Sequence, residues 1–336
     1  MKAFTMPLGT WCAAVILGSL LPLDVAAADF RIRDPFVLVD REKGEYCLYG
    51  VEHYGGDKRT GPTGVWVRKS ADLKNWSAPQ RVMTAPDWTY LVWAPEVHRY
   101  AGKYYMFATL KEFHDPKRPI KFMSSDPNWT HGAEGKSWDS WHATWIYRAD
   151  TPEGPFLPIS EKSATPAGWV ALDGTLWVED GKPYMVFTHD WFQTMVGTIE
   201  LQPMSDDLTH AVGKPVTLFT AATVDPNTRK GVTDGPFVCR SEKSGKLFIT
   251  WSTHNPAKVH DGGYCVVLAE SLSGRIAGPW GRQRIIYDRN GGHGMMFRDL
   301  RGNLRFALHH PERWGDERLT LFAVDDLGET LRIREE

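Results

Sequence analysis

The chain has 336 residues, with 39 basic and 41 acidic side chains and a net charge of −2. That near-balance leaves no electrostatic footprint for nucleic acid or for an anionic membrane. A chain of this length can bury a substantial core, and closed β folds commonly reach it as one domain.

The chain opens with Met1-Lys2, an apolar run from Trp11 to Leu21, and the small residues Val25-Ala26-Ala27-Ala28. A positive start, a short apolar region and a small-residue cleavage site predict a secretory signal peptide over residues 1–28. The run is too short to span a bilayer comfortably, and no later stretch is long enough. Cys12, preceded by Gly9-Thr10-Trp11, makes a poor lipoprotein site. The reading is a protein secreted or periplasmic after cleavage, with one domain over residues 29–336 and no membrane partner. Cys47, Cys239 and Cys265 all lie in apolar strand-like runs and read as buried free thiols rather than a metal site.

From there the chain repeats itself. Gly44-Glu45-Tyr46-Cys47-Leu48-Tyr49 is echoed by Gly102-Lys103-Tyr104-Tyr105-Met106-Phe107 and by Gly181-Lys182-Pro183-Tyr184-Met185-Val186-Phe187. Two further copies begin at Gly245 and Gly302, so that copies start 58, 79, 64 and 57 residues apart. In each, a turn glycine precedes an aromatic, β-rich strand. Four copies follow another apolar segment by a short polar turn: Phe36–Val39, Val97–Tyr100, Leu176–Val178 and Met295–Phe297. Turns at Ser70–Trp76, Ala149–Phe156 and Ser271–Trp280 lead toward outer strands. This spacing suits one four-stranded blade with variable loops, and the predicted fold is an all-β, five-bladed β-propeller. Fifteen tryptophans fit both strand packing and sugar-stacking platforms.

Three acidic segments sit at similar places in this pattern: Arg33-Asp34-Pro35-Phe36, Leu172-Asp173-Gly174-Thr175 and Thr233-Asp234-Gly235-Pro236-Phe237. Singly, each reads as a turn. Jointly, a closed ring would bring the three carboxylates to its centre, and converging carboxylates suggest acid–base hydrolysis, most naturally of a sugar linkage.

With Trp93-Ala94-Pro95-Glu96-Val97 and Gly292-His293-Gly294, these segments resemble family 43 of the glycoside hydrolases over nearly the whole mature chain. The resemblance implies a five-bladed propeller that hydrolyses α-L-arabinofuranosides or β-D-xylosides with inversion, and galactosides in some relatives. It assigns Asp34 as general base, Asp173 as the residue that raises the acid's pKa and orients it, and Asp234 as general acid. Asp234 departs from the pattern, because the family usually has Glu-Gly-Pro there. Acid and base in an inverting hydrolase stand about 6.5–9.5 Å apart. An acid shorter by one methylene retracts by roughly 1.5 Å, and a misplacement near 1 Å costs on the order of a hundredfold. A non-catalytic carbohydrate-binding propeller is the alternative that this substitution leaves open. A retaining hydrolase of the invertase type is disfavoured, since that group's Asn-Asp-Pro-Asn is missing at Asp34.

The resemblance also places His293 near the channel, where a calcium ion or water lies in relatives. One histidine plus waters makes a weak site for a hard cation, so no cofactor is required. Phe36, Trp88, Trp93, Glu96 and His293 are candidate substrate contacts, and His189, His254 and His309 lie near strand ends. Glu112–Ser140 and His254–Gly263 read as rim loops that select the substrate. The expected partner is a carbohydrate, and the expected state is a monomer.

Overall fold

The computed structural model of the protein describes residues 28–51, 63–113, 140–228, 231–261 and 263–334. These form five four-stranded antiparallel sheets. The first contains Phe36–Asp40 (β1), Glu45–Gly50 (β2), Gly64–Ser70 (β3) and Gln80–Thr84 (β4). The second contains Thr89–Tyr100 (β5), Lys103–Phe113 (β6), Ser140–Ala149 (β7) and Leu157–Pro158 (β8). Ala171–Glu179 (β9), Lys182–His189 (β10), Thr198–Pro203 (β11) and Val216–Thr220 (β12) make the third. Asp234–Arg240 (β13), Leu247–His254 (β14), Tyr264–Ser271 (β15) and Trp280–Tyr287 (β16) make the fourth. The last is Gly292–Arg298 (β17), Leu304–His310 (β18), Arg318–Asp326 (β19) and Leu331–Arg334 (β20).

Strand order within each sheet follows the chain, so every blade is a meander. The first strands touch in a closed cycle, β1 against β5, β5 against β9, β9 against β13, β13 against β17 and β17 against β1. The five-bladed propeller read from the repeats is the fold observed. The five repeat copies are the second strands, and each hairpin turn is made by a glycine of positive φ, from 67° at Gly44 to 84° at Gly302. An L-side chain resists that conformation, which is why the repeat is marked so regularly by glycine. The fourth copy also has its hairpin partner, β13, which the aspartate-glycine start had hidden as a turn.

Each blade is too thin to hide its apolar faces alone and packs against its neighbours. Tyr49, Phe107, Phe187, Phe248, Trp251 and Phe306 are fully buried between sheets, each large side chain worth about 1.5–3 kcal/mol of transfer free energy. Cys47, Cys239 and Cys265 are unpaired thiols. Burial pushes each of them up to about 12, so they stay protonated and unreactive.

The N-terminal segment closes the ring. Ala28 and Ile32 donate backbone N–H groups to Leu319 and Glu317 carbonyls at 3.2 and 3.1 Å, and Arg31 bridges Arg318. The wholly buried Glu317 carboxylate accepts from Arg31 Nε at 3.0 Å and from Arg33 Nη1 at 3.3 Å. Arg33 Nη2 donates to Glu312 at 2.8 Å. The residue after Arg33 is Asp34, so the clasp that closes the propeller also anchors that carboxylate. Residues 1–27 of the predicted signal peptide, and residues 114–139 of one predicted rim loop, lie outside the described residues. Among the described residues, no helix is long and apolar enough to cross a membrane.

Candidate active site

The first strand of each blade carries the same irregularity. In blades two to five, two of its residues oppose one on the next strand: Ala94-Pro95, Asp173-Gly174, Gly235-Pro236 and His293-Gly294. In blade one, Asp34-Pro35 stands at the same offset, just before Phe36, which pairs with Tyr49. The leading residue of every pair has positive φ: 50° at Asp34, 43° at Ala94, 56° at Asp173, 50° at Gly235 and 46° at His293. A bulge bends its strand and re-aims a side chain. Aspartate visits the left-handed region more readily than most residues, and proline in second place gives up no ladder donor.

The bulges bring three of these five positions together. His293 Nδ1 lies 3.2 Å from Asp34 Oδ1 and 3.8 Å from Asp173 Oδ2. All three side chains are buried. Asp234 is not the equivalent of the other two aspartates, as the similar segments had suggested. It stands one residue before the bulge, and Gly235 occupies the bulge position in blade four. The Asp234 carboxyl is therefore not carried on a bulge as those of the other two aspartates are. It reaches a half-buried position under the Tyr264 hydroxyl, which donates to Asp234 Oδ2 at 3.0 Å.

Gly235 joins the two halves of the site. Its N–H donates to Asp173 Oδ2 at 3.0 Å. A Cβ built on it would lie 2.6 Å from His293 Cδ2, at a φ of +50°. Gly235→Ala is therefore expected to lose about 2–4 kcal/mol of stability from backbone strain and overpacking together. Denaturant unfolding measures it, and a loss below about 0.5 kcal/mol would mean that the imidazole moves aside freely.

The charges of the site are strongly coupled. Burial alone would raise Asp34, but the neighbouring His293 and Arg33 cations outweigh it and hold its carboxyl well below the usual carboxylate range. Its Oδ1 is buried and has no hydrogen-bond donor among the described residues. Asp173 is raised, first by burial, with the His293 cation opposing and the Asp34 charge adding. Asp234 is pushed up to about 7, first by burial and then by the negative charge of Asp173. Burial would lower His293, yet the charges of Asp34, Asp173 and Asp234 outweigh it and raise it. Near neutral pH, then, Asp34 is ionised, while Asp173 and Asp234 are both raised, Asp234 the higher of the two.

Around this centre, Asp173 is fixed by Thr109, whose Oγ1 accepts the Asp173 N–H at 2.9 Å. His309, fully buried, accepts the Asp34 N–H at Nδ1 (3.3 Å), which leaves Nε2 to carry the proton to Glu312 at 2.5 Å. His309 thus holds the Asp34 backbone. His189 stacks on Trp169 at 3.9 Å and bonds to Gln193, and His254 is exposed at the end of β14.

The predicted sugar contacts are dispersed. Phe36 is buried, with His98 and Phe237 rings 5.2 and 6.4 Å away, so it forms a floor and not an open platform. Trp93 is half-buried, beside the His142 ring at 4.8 Å and under the Lys111 ammonium at 5.0 Å. Trp88 is 40% exposed and faces Trp145. Glu96, the residue after the bulge pair Ala94-Pro95, is buried and pairs with His98 at 3.0 Å. Sequence reasoning missed Tyr264, Thr109 and Asp190, whose charge also raises Asp234. Tyr264 lies on a third strand with nothing local to mark it, and Asp190 looks like an ordinary helix cap, accepting the Phe192 N–H at 2.9 Å.

A family profile described as Glycosyl hydrolases family 43 matches residues 28–333. Among solved structures, an endo-arabinase from Bacteroides thetaiotaomicron is 30% identical with a TM-score of 0.70, covering 88% of this chain and 95% of that one. An endo-1,4-β-xylanase from the same organism is 20% identical with a TM-score of 0.67, covering 93% and 97%. An extracellular endo-α-(1→5)-L-arabinanase 1 of Bacillus subtilis is 28% identical over 125 residues. That match spans 34% of this chain and 36% of the relative.

Proposed function

The chain belongs to family 43 of the glycosyl hydrolases, and we propose that within it this protein cleaves α-1,5-linked L-arabinofuranosides of arabinan or its oligosaccharides, outside the cytoplasm. The observation that carries the reading is the pair of carboxyls in unlike settings: Asp34, with His293 Nδ1 3.2 Å from its Oδ1, is held ionised, and Asp234, under the Tyr264 hydroxyl at 3.0 Å, is pushed up to about 7. An inverting hydrolysis needs such a pair. Two relatives bearing arabinanase or arabinase names, at 30% and 28% identity, favour arabinan over xylan. The extracellular relative and the signal-like leader support export.

Asp34 Oδ1 takes a proton from water as that water attacks the anomeric carbon. Asp234 gives its proton to the departing glycosidic oxygen. Asp173 keeps that proton on Asp234 by repulsion and, through Gly235 N–H, holds the acid's backbone in place. His293 balances the charge of Asp34 and Asp173. Its Nδ1 faces the two carboxylates, and a single histidine is a weak holder of a hard cation, which prefers oxygen ligands. No step is therefore routed through a metal.

The test is purified mature protein assayed on linear arabinan, arabino-oligosaccharides and xylo-oligosaccharides across pH, with the anomeric product followed by NMR. Hydrolysis of arabinan with inversion is expected, with kcat/KM falling about tenfold per unit as pH rises beyond 7 and Asp234 loses its proton. Asp34 keeps its charge below the ordinary carboxylate range, so it does not set an acid limb near pH 4. Faster cleavage of the xylan series would replace the substrate assignment, and a retained anomer would overturn the mechanism.

A further inference from the structure

Tyr264 and His309 take no part in the proton transfers above, yet each holds one of the two residues that carry a reacting carboxyl. The Tyr264 hydroxyl donates to Asp234 Oδ2 at 3.0 Å, and His309 Nδ1 accepts the Asp34 N–H at 3.3 Å. Their rings stack with centroids 5.8 Å apart and planes 16° from parallel. Both are almost wholly inaccessible to solvent.

The pair is clamped on both sides. Gly292 leaves room for Tyr264, since a Cβ there would lie 2.5 Å from its Cε1 and 2.8 Å from Ser252 Oγ. That Ser252 hydroxyl accepts the N–H of His293 at 2.8 Å. On the other side Glu312 receives His309 Nε2 and the Arg33 guanidinium.

We infer that the Tyr264–His309 stack is a positioning element that sets the acid and the base relative to each other, Tyr264 fixing the short acid Asp234 and His309 the backbone of Asp34. An aspartate in place of the longer acid has one fewer torsion with which to find the glycosidic oxygen, so its placement depends on the residue that holds it. The phenol engages Oδ2, which leaves Oδ1 to carry the donated proton. A stack of two rigid rings transmits the position of one side to the other, because neither ring can shift without losing contact or meeting Gly292. This rests on the acid and base roles proposed above.

Tyr264→Phe removes the one hydroxyl and keeps the ring. The groups facing Tyr264 are Asp234, Glu312, Arg33, Asp34, His309 and the nearby His254 ring, and those facing Asp234 are Asp173, His293 and Asp190. Loss of the donor is expected to move the Asp234 titration to higher pH by half a unit or more, read by carbon NMR of Asp-labelled mature protein and assigned with Asp234→Asn. It is also expected to lower kcat on arabino-oligosaccharides about tenfold with KM within twofold. His309→Gln keeps a donor for Glu312 but removes the ring and the Nδ1 acceptor of the Asp34 N–H, and should lower kcat similarly.

An unmoved Asp234 titration in Tyr264→Phe, or kcat within twofold of the parent in both variants, overturns the inference. The titration needs no turnover, so it separates failure of the stack from failure of the hydrolase reading, which Asp34→Ala and Asp234→Ala probe by activity alone.

Discussion

Asp34→Asn is expected to lower kcat on arabino-oligosaccharides about 10³–10⁴-fold with little change in KM. The substitution keeps the shape of the side chain and its place in the bulge, so the fold and the sugar pocket persist. It removes a buried carboxylate that the His293 and Arg33 cations hold ionised, with His293 Nδ1 3.2 Å from its Oδ1. A general base contributes about 10²–10⁴-fold. The upper end is expected here, because an asparagine amide has no basicity to offer the attacking water. The same change takes a negative neighbour from His293, so that histidine should titrate at lower pH than in the parent. Steady-state kinetics with a histidine NMR titration checks both. Parent-like kcat would remove Asp34 from the base role.

Asp234→Asn should discriminate between leaving groups. On arabino-oligosaccharides, whose departing sugar alkoxide must be protonated, kcat/KM is expected to fall about 10²–10⁴-fold. On a nitrophenyl arabinofuranoside, whose phenolate leaves unaided near neutral pH, the fall should stay within about tenfold. The loss of activity above pH 7 should disappear with the titrating group. Equal losses on both substrates would assign Asp234 to sugar binding, and no loss on either would return the chain to a binding propeller. The acid role proposed for Asp234 rests on burial and the Asp173 charge, which push it up to about 7, and on the Tyr264 hydroxyl, which donates to its Oδ2 at 3.0 Å.

The architecture was readable from the chain because its markers are local. A hairpin turn of positive φ calls for glycine, and Gly44, Gly102, Gly181, Gly245 and Gly302 supply it at intervals of one blade. The aromatic strands that follow became the second strand of every sheet. The hairpin of blade four was less legible, because its first strand begins with Asp234-Gly235-Pro236, residues that signal a turn when read alone. Here they form a bulge inside a strand.

The site was legible in its residue types and not in its geometry. Asp34, Asp173 and His293 stand out in the chain and do meet, within 3.2 and 3.8 Å. Glu96 and Phe36 are as conspicuous, yet both are buried, Glu96 against His98 and Phe36 beneath aromatic rings. Tyr264 and Thr109 carry no local signal, since each matters only through a partner 30 or 64 residues away.

Composition, leader and repeat spacing determine the fold class and name the acids, because turn chemistry and strand alternation act over a few residues. Which acid is ionised and which is protonated is a property of the closed ring. It depends on equivalent positions in three blades placing Asp34 and Asp173 beside His293, and on Asp234 standing one residue before the bulge of a fourth. Charge coupling of that kind is set by distance in space, and no spacing along the chain encodes it.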